Sequence, residues 1–289
     1  MCKKTEFTYK DFDRQYPNED ACLQKLFDLR YGNMEACVNC GVAQPVYHRV
    51  RKRKCFQCDD CLFQIYPMAG TPMENSKTSV LTWFKIIFLF ACSKNGVSAM
   101  ELKRYTGVTY KCAWRIGHQV RKMMDEGQIS LQGIVEVDES LYGGKARGGK
   151  RGWGADKKTC VFGMIERGGK VITTTVKGRA KEIILPIIGS SIIAGTTVFT
   201  DEYKGYKDLA TLGYSHATVN HSKYQWASGN TYTNSIEGFW SNLKKSLAGT
   251  HTHVSAKYLQ SYLNEFNFRH NNRKDVVMFD AILNQLVDC

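Results

Sequence analysis

The spacing of apolar and polar residues changes period several times along the chain, and each change marks an element. From Asn18 to Arg30 a capping asparagine precedes apolar residues at Ala21, Cys22, Leu26, Phe27 and Leu29, a helical period. Residues 34 to 66 instead carry short alternating runs such as VYHRVRKRKCFQC, which suggest strands. Between Ser79 and Glu126 three helical patterns follow one another, broken at Asn95-Gly96 and at Gly107. The first holds the most apolar stretch, LTWFKIIFLFAC from Leu81 to Cys92. Interrupted by Lys85 and far short of the roughly 20 residues that cross a bilayer, it reads as a core helix. The second, SAMELKRYTG, is short, and the third, VTYKCAWRIGHQVRKMM, carries Lys111, Arg115, Arg121 and Lys122. This is the length pattern of a helix-turn-helix whose third helix reads DNA, although any three-helix bundle shares these periods.

After Gly127 the texture changes to strand-type runs, GIVEVDESLYG, TCVFGMIE and KVITTTVKG, separated by glycine-rich turns. A helix (AKEIILPII), a strand (TTVFTDEY), a short helix, a strand (HATVNH) and two longer helices complete the chain. Three consecutive strands followed by alternating helix and strand predict an α/β class, an RNase H-like mixed sheet flanked by helices. The expected segments are a helical lead-in over 1–33, a small β unit over 34–70, the helix-turn-helix over 76–127 and the α/β domain over 131–289.

A chain of 289 residues with 43% hydrophobic and 12% aromatic content can bury sizeable cores, which excludes a disordered tail. The formal net charge is +13, with basic residues in excess in both halves. Folded basic segments of this kind face a polyanion, most economically nucleic acid. The first residues, MCKKTEFTYK, lack the apolar core of a secretory signal, so export is not expected, and with the apolar stretch at Leu81 to Cys92 too short to span a bilayer no membrane partner is expected. The expected location is the cytoplasm, on the nucleoid, in a bacterium or the nucleus in a eukaryote. In such a reducing compartment eleven cysteines are first candidates for metal ligation.

Cys37-Val-Asn-Cys40 and Cys58-Asp-Asp-Cys61 form two C-x2-C knuckles separated by 17 residues, the spacing of a four-cysteine zinc ribbon. Four thiolates close a tetrahedron with no open position, so this zinc would be structural. Cys55 also makes a C-x2-C with Cys58, a register that would leave Cys61 unused. A unit of about 30 residues cannot fold on apolar surface alone, and roughly 10 to 16 kcal/mol of metal binding would hold it together. Arg49, Arg51, Lys52, Arg53 and Lys54 lie on this unit, where they meet phosphates or form a solvated hairpin. Cys22, Cys92, Cys112 and Cys160 read as small buried hydrophobes.

Asp138 in GIVEVDES and Asp201 in TTVFTDEY end apolar strands, the usual place for chemistry in a flanked sheet. Glu237, in NSIEGFWSNLKK, follows on a predicted helix. Two carboxylates about 4 Å apart repel by roughly 4 kcal/mol at an effective dielectric of 20, so three gathered together call for divalent cations. Hard oxygen ligands suit magnesium or manganese. Glu136 shares a strand face with Asp138 and supports it from behind, whereas Glu139 and Glu202 are expected to point away.

The blocks IVEVDES, VFTDEYKGY, TNSIEGFWSNLKK and YLNEFNFRHNNR, with the cysteine knuckles and a glycine-rich basic segment, carry a resemblance. From about Phe7 to about Leu286 the chain resembles the DDE/D transposases of bacterial insertion sequences related to eukaryotic Merlin transposons. That kind pairs an ISXO-like transposase domain with an N-terminal zinc ribbon. The resemblance implies Asp138 and Asp201 as the first two catalytic acids and Glu237 as the third. Lys244, seven residues past Glu237 and on nearly the same helix face, matches the wider superfamily's Glu and Lys spacing. That wider signature has a Tyr and an Arg where this chain has Asn230 and Thr233. Some relatives use Asn as the third ligand, which makes Asn234 a rival to Glu237.

The segment from Gly143 to Lys158, GGKARGGKRGWGADKK, brings Lys145, Arg147, Lys150 and Arg151 near a backbone that glycine lets approach DNA, with Trp153 to stack or wedge. A solvated hairpin is the other reading. The expected function is DNA transposition: binding of terminal inverted repeats, hydrolysis at the ends with two magnesium or manganese ions, and joining of the 3′-hydroxyl to target DNA. A two-ended substrate implies a homodimer or higher assembly on double-stranded DNA. The alternatives are a transposase-derived DNA-binding regulator without catalysis and an RNase H-type nuclease without strand transfer.

Overall fold

The computed structural model describes residues 7–143, 158–219, 233–274 and 277–286. The chain divides into two compact units, Met1–Met123 with Asp275–Cys289, and Met124–Lys274. Among the described residues no helix is long and apolar enough to cross a membrane.

In the first unit, α1 (Tyr9–Gln15) starts from a capping box between Thr8 and Asp11. Helix α2 (Glu19–Tyr31) is capped by Asn18, whose side chain accepts from the Ala21 amide, and it buries Cys22, Leu23, Leu26 and Phe27. Phe27 stacks on Phe56 at 4.3 Å between ring centroids. Phe56 belongs to an antiparallel sheet of β1 (Tyr47–Val50), β2 (Cys55–Cys58) and β3 (Gln64–Ile65). The apolar stretch forms α3 (Val80–Cys92), with Trp83, Phe84, Ile86, Ile87 and Phe90 fully buried. The C-terminal helix Met278–Asn284 returns to this unit and sets Phe279 among Phe12, Tyr16, Phe84 and Phe88. Helix α4 (Ala99–Thr106) has a capping box from Ser98 to Glu101 and ends at Gly107, whose φ of 72° suits glycine. Three residues later α5 (Tyr110–Met123) begins, with the Thr109 hydroxyl accepting from the Cys112 amide. Of the four cysteines expected in cores, Cys22 and Cys160 are buried and Cys112 is half-buried. Cys92 is exposed, a correction that follows from its place as the last residue of α3.

The second unit is a five-stranded sheet in the order β6-β5-β4-β7-β8. Strands β4 (Ile134–Tyr142), β5 (Thr159–Glu166) and β6 (Val171–Val176) pair antiparallel, while β7 (Thr197–Thr200) runs parallel to β4 and to β8 (Ser215–Thr218). Alternate side chains along β5 serve opposite faces. Phe162 and Met164 join Val135 and Val137 under α6 (Lys181–Ser191) and a 3-10 turn over Lys204–Leu209. Val161 and Ile165 pack against Ile236, Trp240, Leu263 and Phe266 from α7 (Asn234–His251) and α8 (Ala256–Asn271). This is the expected mixed sheet flanked by helices.

The block YLNEFNFRHNNR lies on α8, and its amides finish the outer edge of β6. Asn267 accepts from the Thr173 hydroxyl at 2.8 Å, and Asn271 accepts from the Val171 amide at 2.7 Å while donating to its carbonyl at 3.1 Å. Those bonds replace a neighbouring strand and leave the edge unavailable for further pairing. Buried Glu265 and partly buried Arg269 on the same helix pair at 2.7 Å.

Candidate active site

The two knuckles converge. The sulfurs of Cys37, Cys40, Cys58 and Cys61 all lie within 4.8 Å of one another. Cys37 and Cys61 are 3.7 Å apart. A tetrahedron with zinc–sulfur bonds near 2.3 Å has edges of about 3.8 Å, so this spacing fits one zinc ion. The Cys37 thiol is lowered to about 6, first by the Cys40 backbone amide, then by the Tyr47 hydroxyl, which donates to its sulfur at 3.2 Å. That favours the thiolate a metal needs. Cys55 points elsewhere, with its thiol against the Gln64 side-chain oxygen at 3.7 Å.

The carboxylates are assembled by sheet register and by one buried acid. Glu136 on β4 pairs with Phe199 on β7, so Asp138 and Asp201, each two residues further along parallel strands, end level with each other. Helix α7 has no side-chain cap of its own. Glu136, fully buried, takes that role from the sheet: it accepts from the Ser235 and Ile236 amides at 2.8 and 3.1 Å and from Arg167 at 2.7 Å. A carboxylate at a helix N-terminus meets the exposed amides and the positive end of the dipole. The helix is thereby docked with Glu237 facing the two aspartates across a cleft of about 480 Å³, which Lys244 also lines. The Thr233 hydroxyl donates to Glu237 at 3.1 Å. Asn234 is exposed at the first position of α7 and is absent from the described lining of this cleft.

Three features escaped the sequence reading. Glu139 does not point away: its carboxylate lies within 4.8 Å of those of Asp138 and Asp201. The buried Tyr206 hydroxyl donates to it at 2.5 Å. Trp240 donates from its indole Nε1 to Asp138 at 3.0 Å. Gly163, which faces Asp138 across the β4–β5 pair, makes room for that indole, because a Cβ there would stand 2.4 Å from Trp240 Cζ2. Burial, then the Asp201 charge, pushes Asp138 up to about 6. Burial also lifts Glu139 to about 7, opposed by the Tyr206 hydrogen bond and reinforced by Asp201 and Asp138. Burial and mutual repulsion of these acids outweigh the Arg179 charge that acts on Glu139, and an oxygen-lined cleft of this kind fits a hard divalent cation.

A model of the ISXO2-like transposase domain matches residues 130–271. A model of the transposase zinc-ribbon domain matches residues 17–64. The chain is 31% identical over 118 residues to an uncharacterized transposase-like protein of Haemophilus influenzae, covering 41% of this chain and 94% of that protein. The chain belongs to the ISXO2-like transposase family. It is also 23% identical over 273 residues to an uncharacterized protein in transposable element ISH50 of Halobacterium salinarum, covering 89% of this chain and 92% of that protein.

The basic residues of this transposase differ in how they are engaged. Arg49 pairs with Asp20 at 2.9 Å and donates to backbone carbonyls at Val50, Arg53 and Cys55, so its guanidinium ties the β1–β2 hairpin to α2. Lys54 pairs with Glu19 at 2.9 Å. Arg51 and Lys52 are exposed at the hairpin tip, and Arg53 is exposed with one donor on Gln64 at 3.1 Å. On α5, Lys111 and Arg115 are exposed, the latter 5.9 Å from the Trp83 ring centroid. Lys145, Arg147, Lys150, Arg151, Trp153 and Asn230 lie outside the described residues.

Proposed function

We propose that this transposase binds the terminal inverted repeats of its own element, cleaves the ends by metal-dependent phosphodiester hydrolysis and joins the 3′-hydroxyl to target DNA. The observation that carries the reading is the single open cleft shared by Asp138, Asp201, Glu237 and Lys244 in a chain of this family. In it Asp138, Asp201 and Glu237 hold magnesium or manganese, with Trp240 and Thr233 fixing the orientation of two of the three acids. Two such cations, when bound, supply positive charge to the attacking and leaving oxygens of an in-line displacement. Lys244, an ammonium that never ligates a cation, pairs with a phosphate beside the scissile bond. Cys37, Cys40, Cys58 and Cys61 hold one structural zinc. The exposed Arg51, Lys52, Lys111 and Arg115 contact the DNA backbone and grooves, and two copies of the chain handle the two ends together.

The test is cleavage of a labelled duplex taken from inverted repeats flanking the coding sequence, with magnesium or manganese. Asp138→Ala, Asp201→Ala and Glu237→Ala are each expected to abolish cleavage and joining while end binding persists. If Asn234→Ala abolishes cleavage and Glu237→Gln is tolerated, Asn234 is the third ligand instead. Wild-type protein that binds both ends and never nicks them, with either metal, refutes the enzyme and leaves a DNA-binding regulator. Nicking without joining leaves a nuclease.

A further inference from the structure

Next to the carboxylate cleft lies a second recess of about 240 Å³. Its walls are the end of β4 at Tyr142 and Gly143, the face of α7 at Lys244 and Ala248, and the turn at Thr252 and His253. Lys244 lines both cavities. Residues four apart on a helix share a face, and at 1.5 Å per residue Ala248 stands about 6 Å beyond Lys244. A strand that passes the acids and meets Lys244 therefore reaches this recess next.

The floor and rim are held in place. The Tyr142 ring packs against the α7–α8 core. Thr252 has φ 59° and ψ −53°, and the His253 amide donates to the His251 carbonyl at 2.5 Å. This is a γ-turn with positive central φ, a rare and strained conformation, and here the central residue is β-branched. Strain of this kind persists only where its surroundings impose it, and it concentrates at ligand sites. Gly143, at φ 145°, forms part of the opposite rim and in sequence directly precedes the basic segment.

We propose that the recess receives one unpaired nucleotide of the DNA strand whose phosphodiester lies in the cleft, with Lys244 on the intervening phosphate and Tyr142 and His253 against the base. The inference rests on the DNA-processing reading above and names a subsite for it. The recess is smaller than the roughly 300 Å³ at which drug-sized pockets begin, which suits one base and excludes a base pair. An ammonium, an imidazole and an aromatic wall are the groups that hold a phosphate and a flat ring.

The experiment uses the full zinc-loaded chain and three fluorescein-labelled duplexes of one sequence: blunt, with a short 3′ overhang, and with a short 5′ overhang. Wild type is expected to bind one overhang at least about fivefold tighter than the blunt duplex, the gain of one stacked base. Ala248→Trp fills the recess from an exposed helix position and is expected to bring that ratio to near one without weakening blunt-duplex binding. His253→Ala is expected to reduce the ratio and covers the case in which the tryptophan variant misfolds. No overhang preference in wild type, or a preference that survives both substitutions, overturns the subsite alone. Failure to bind any of the three duplexes overturns the DNA-processing reading and the subsite with it.

Discussion

The cysteine cluster draws its four ligands from residues 37 to 61, each pair set by one tight knuckle, whereas the carboxylate cleft collects Asp138 from the middle of β4, Asp201 from just past β7 and Glu237 from a helix. The first cluster needs little beyond its own segment to bring its sulfurs together. The second exists only because a parallel register levels two aspartates and because Glu136 docks α7 from inside the sheet. A local cluster fails when a ligand is removed. A distributed one also fails when a residue that touches no ligand lets an element drift.

The largest expected effect is on the local side. Cys37→Ser or Cys58→Ser should release zinc and unfold the ribbon, a loss on the order of 10 kcal/mol of metal-coupled folding free energy. Cys55→Ser should retain the metal, since its thiol faces Gln64. Metal analysis of the purified variants decides the register, and zinc kept by Cys61→Ser but lost by Cys55→Ser would reverse it.

On the distributed side, Glu136→Ala leaves Arg167 and two helix amides without their buried acceptor. Removing one partner of such a pair should cost about 3 to 5 kcal/mol in urea unfolding and abolish cleavage, although Glu136 lines no part of the cleft. A loss below about 1 kcal/mol would mean that packing alone holds α7.

Gly163→Ala is smaller and more local. Its Cβ must displace the Trp240 indole, an overpacking cost of about 1 to 3 kcal/mol, and deprives Asp138 of the indole hydrogen bond. Lower cleavage, accompanied by a shift in tryptophan emission, is expected. Unchanged cleavage would show that Asp138 does not need the indole donor.

The mildest test is pH. Asp138 and Glu139 have folded values of about 6 and about 7, raised from 3.8 and 4.5. Groups raised in this way stabilise the ion-free fold below their unfolded values, and that contribution is lost as pH rises through about 6 to 7. Manganese competes with those protons, so its upward shift of the melting temperature should be larger at pH 8 than at pH 5.5. An equal shift at both values would place the cation away from these two acids.

Much of this was legible in one dimension. Knuckle spacing depends on a few covalent links, so Cys37, Cys40, Cys58 and Cys61 could be grouped before any fold was known, as could the Asn18 cap and the glycine that ends α4. The expectation that both aspartates end strands holds for Asp201 but not for Asp138, because β4 continues to Tyr142 on its pairing with β5; what levels the two acids is the end of the parallel pairing with β7, and the two-residue period put Glu136 behind them. The same period misjudged Glu139, because alternation sets the direction of a Cβ and not the reach of a long side chain, and Tyr206 holds this carboxylate beside the aspartates. The roles of Trp240 and Gly163 required knowing that α7 crosses β5 at that point. Arg49 looked the same as Arg51 in the sequence, and the proximity of Asp20 on α2 and of the hairpin's own carbonyls separated them. Sequence determines what is set by neighbours along the chain, namely periods, caps, knuckles and net charge. Which acids share a cleft, which indole orients them and which cations remain exposed are decided by contacts between residues far apart in the chain, and these come into being only when the sheet and its helices close.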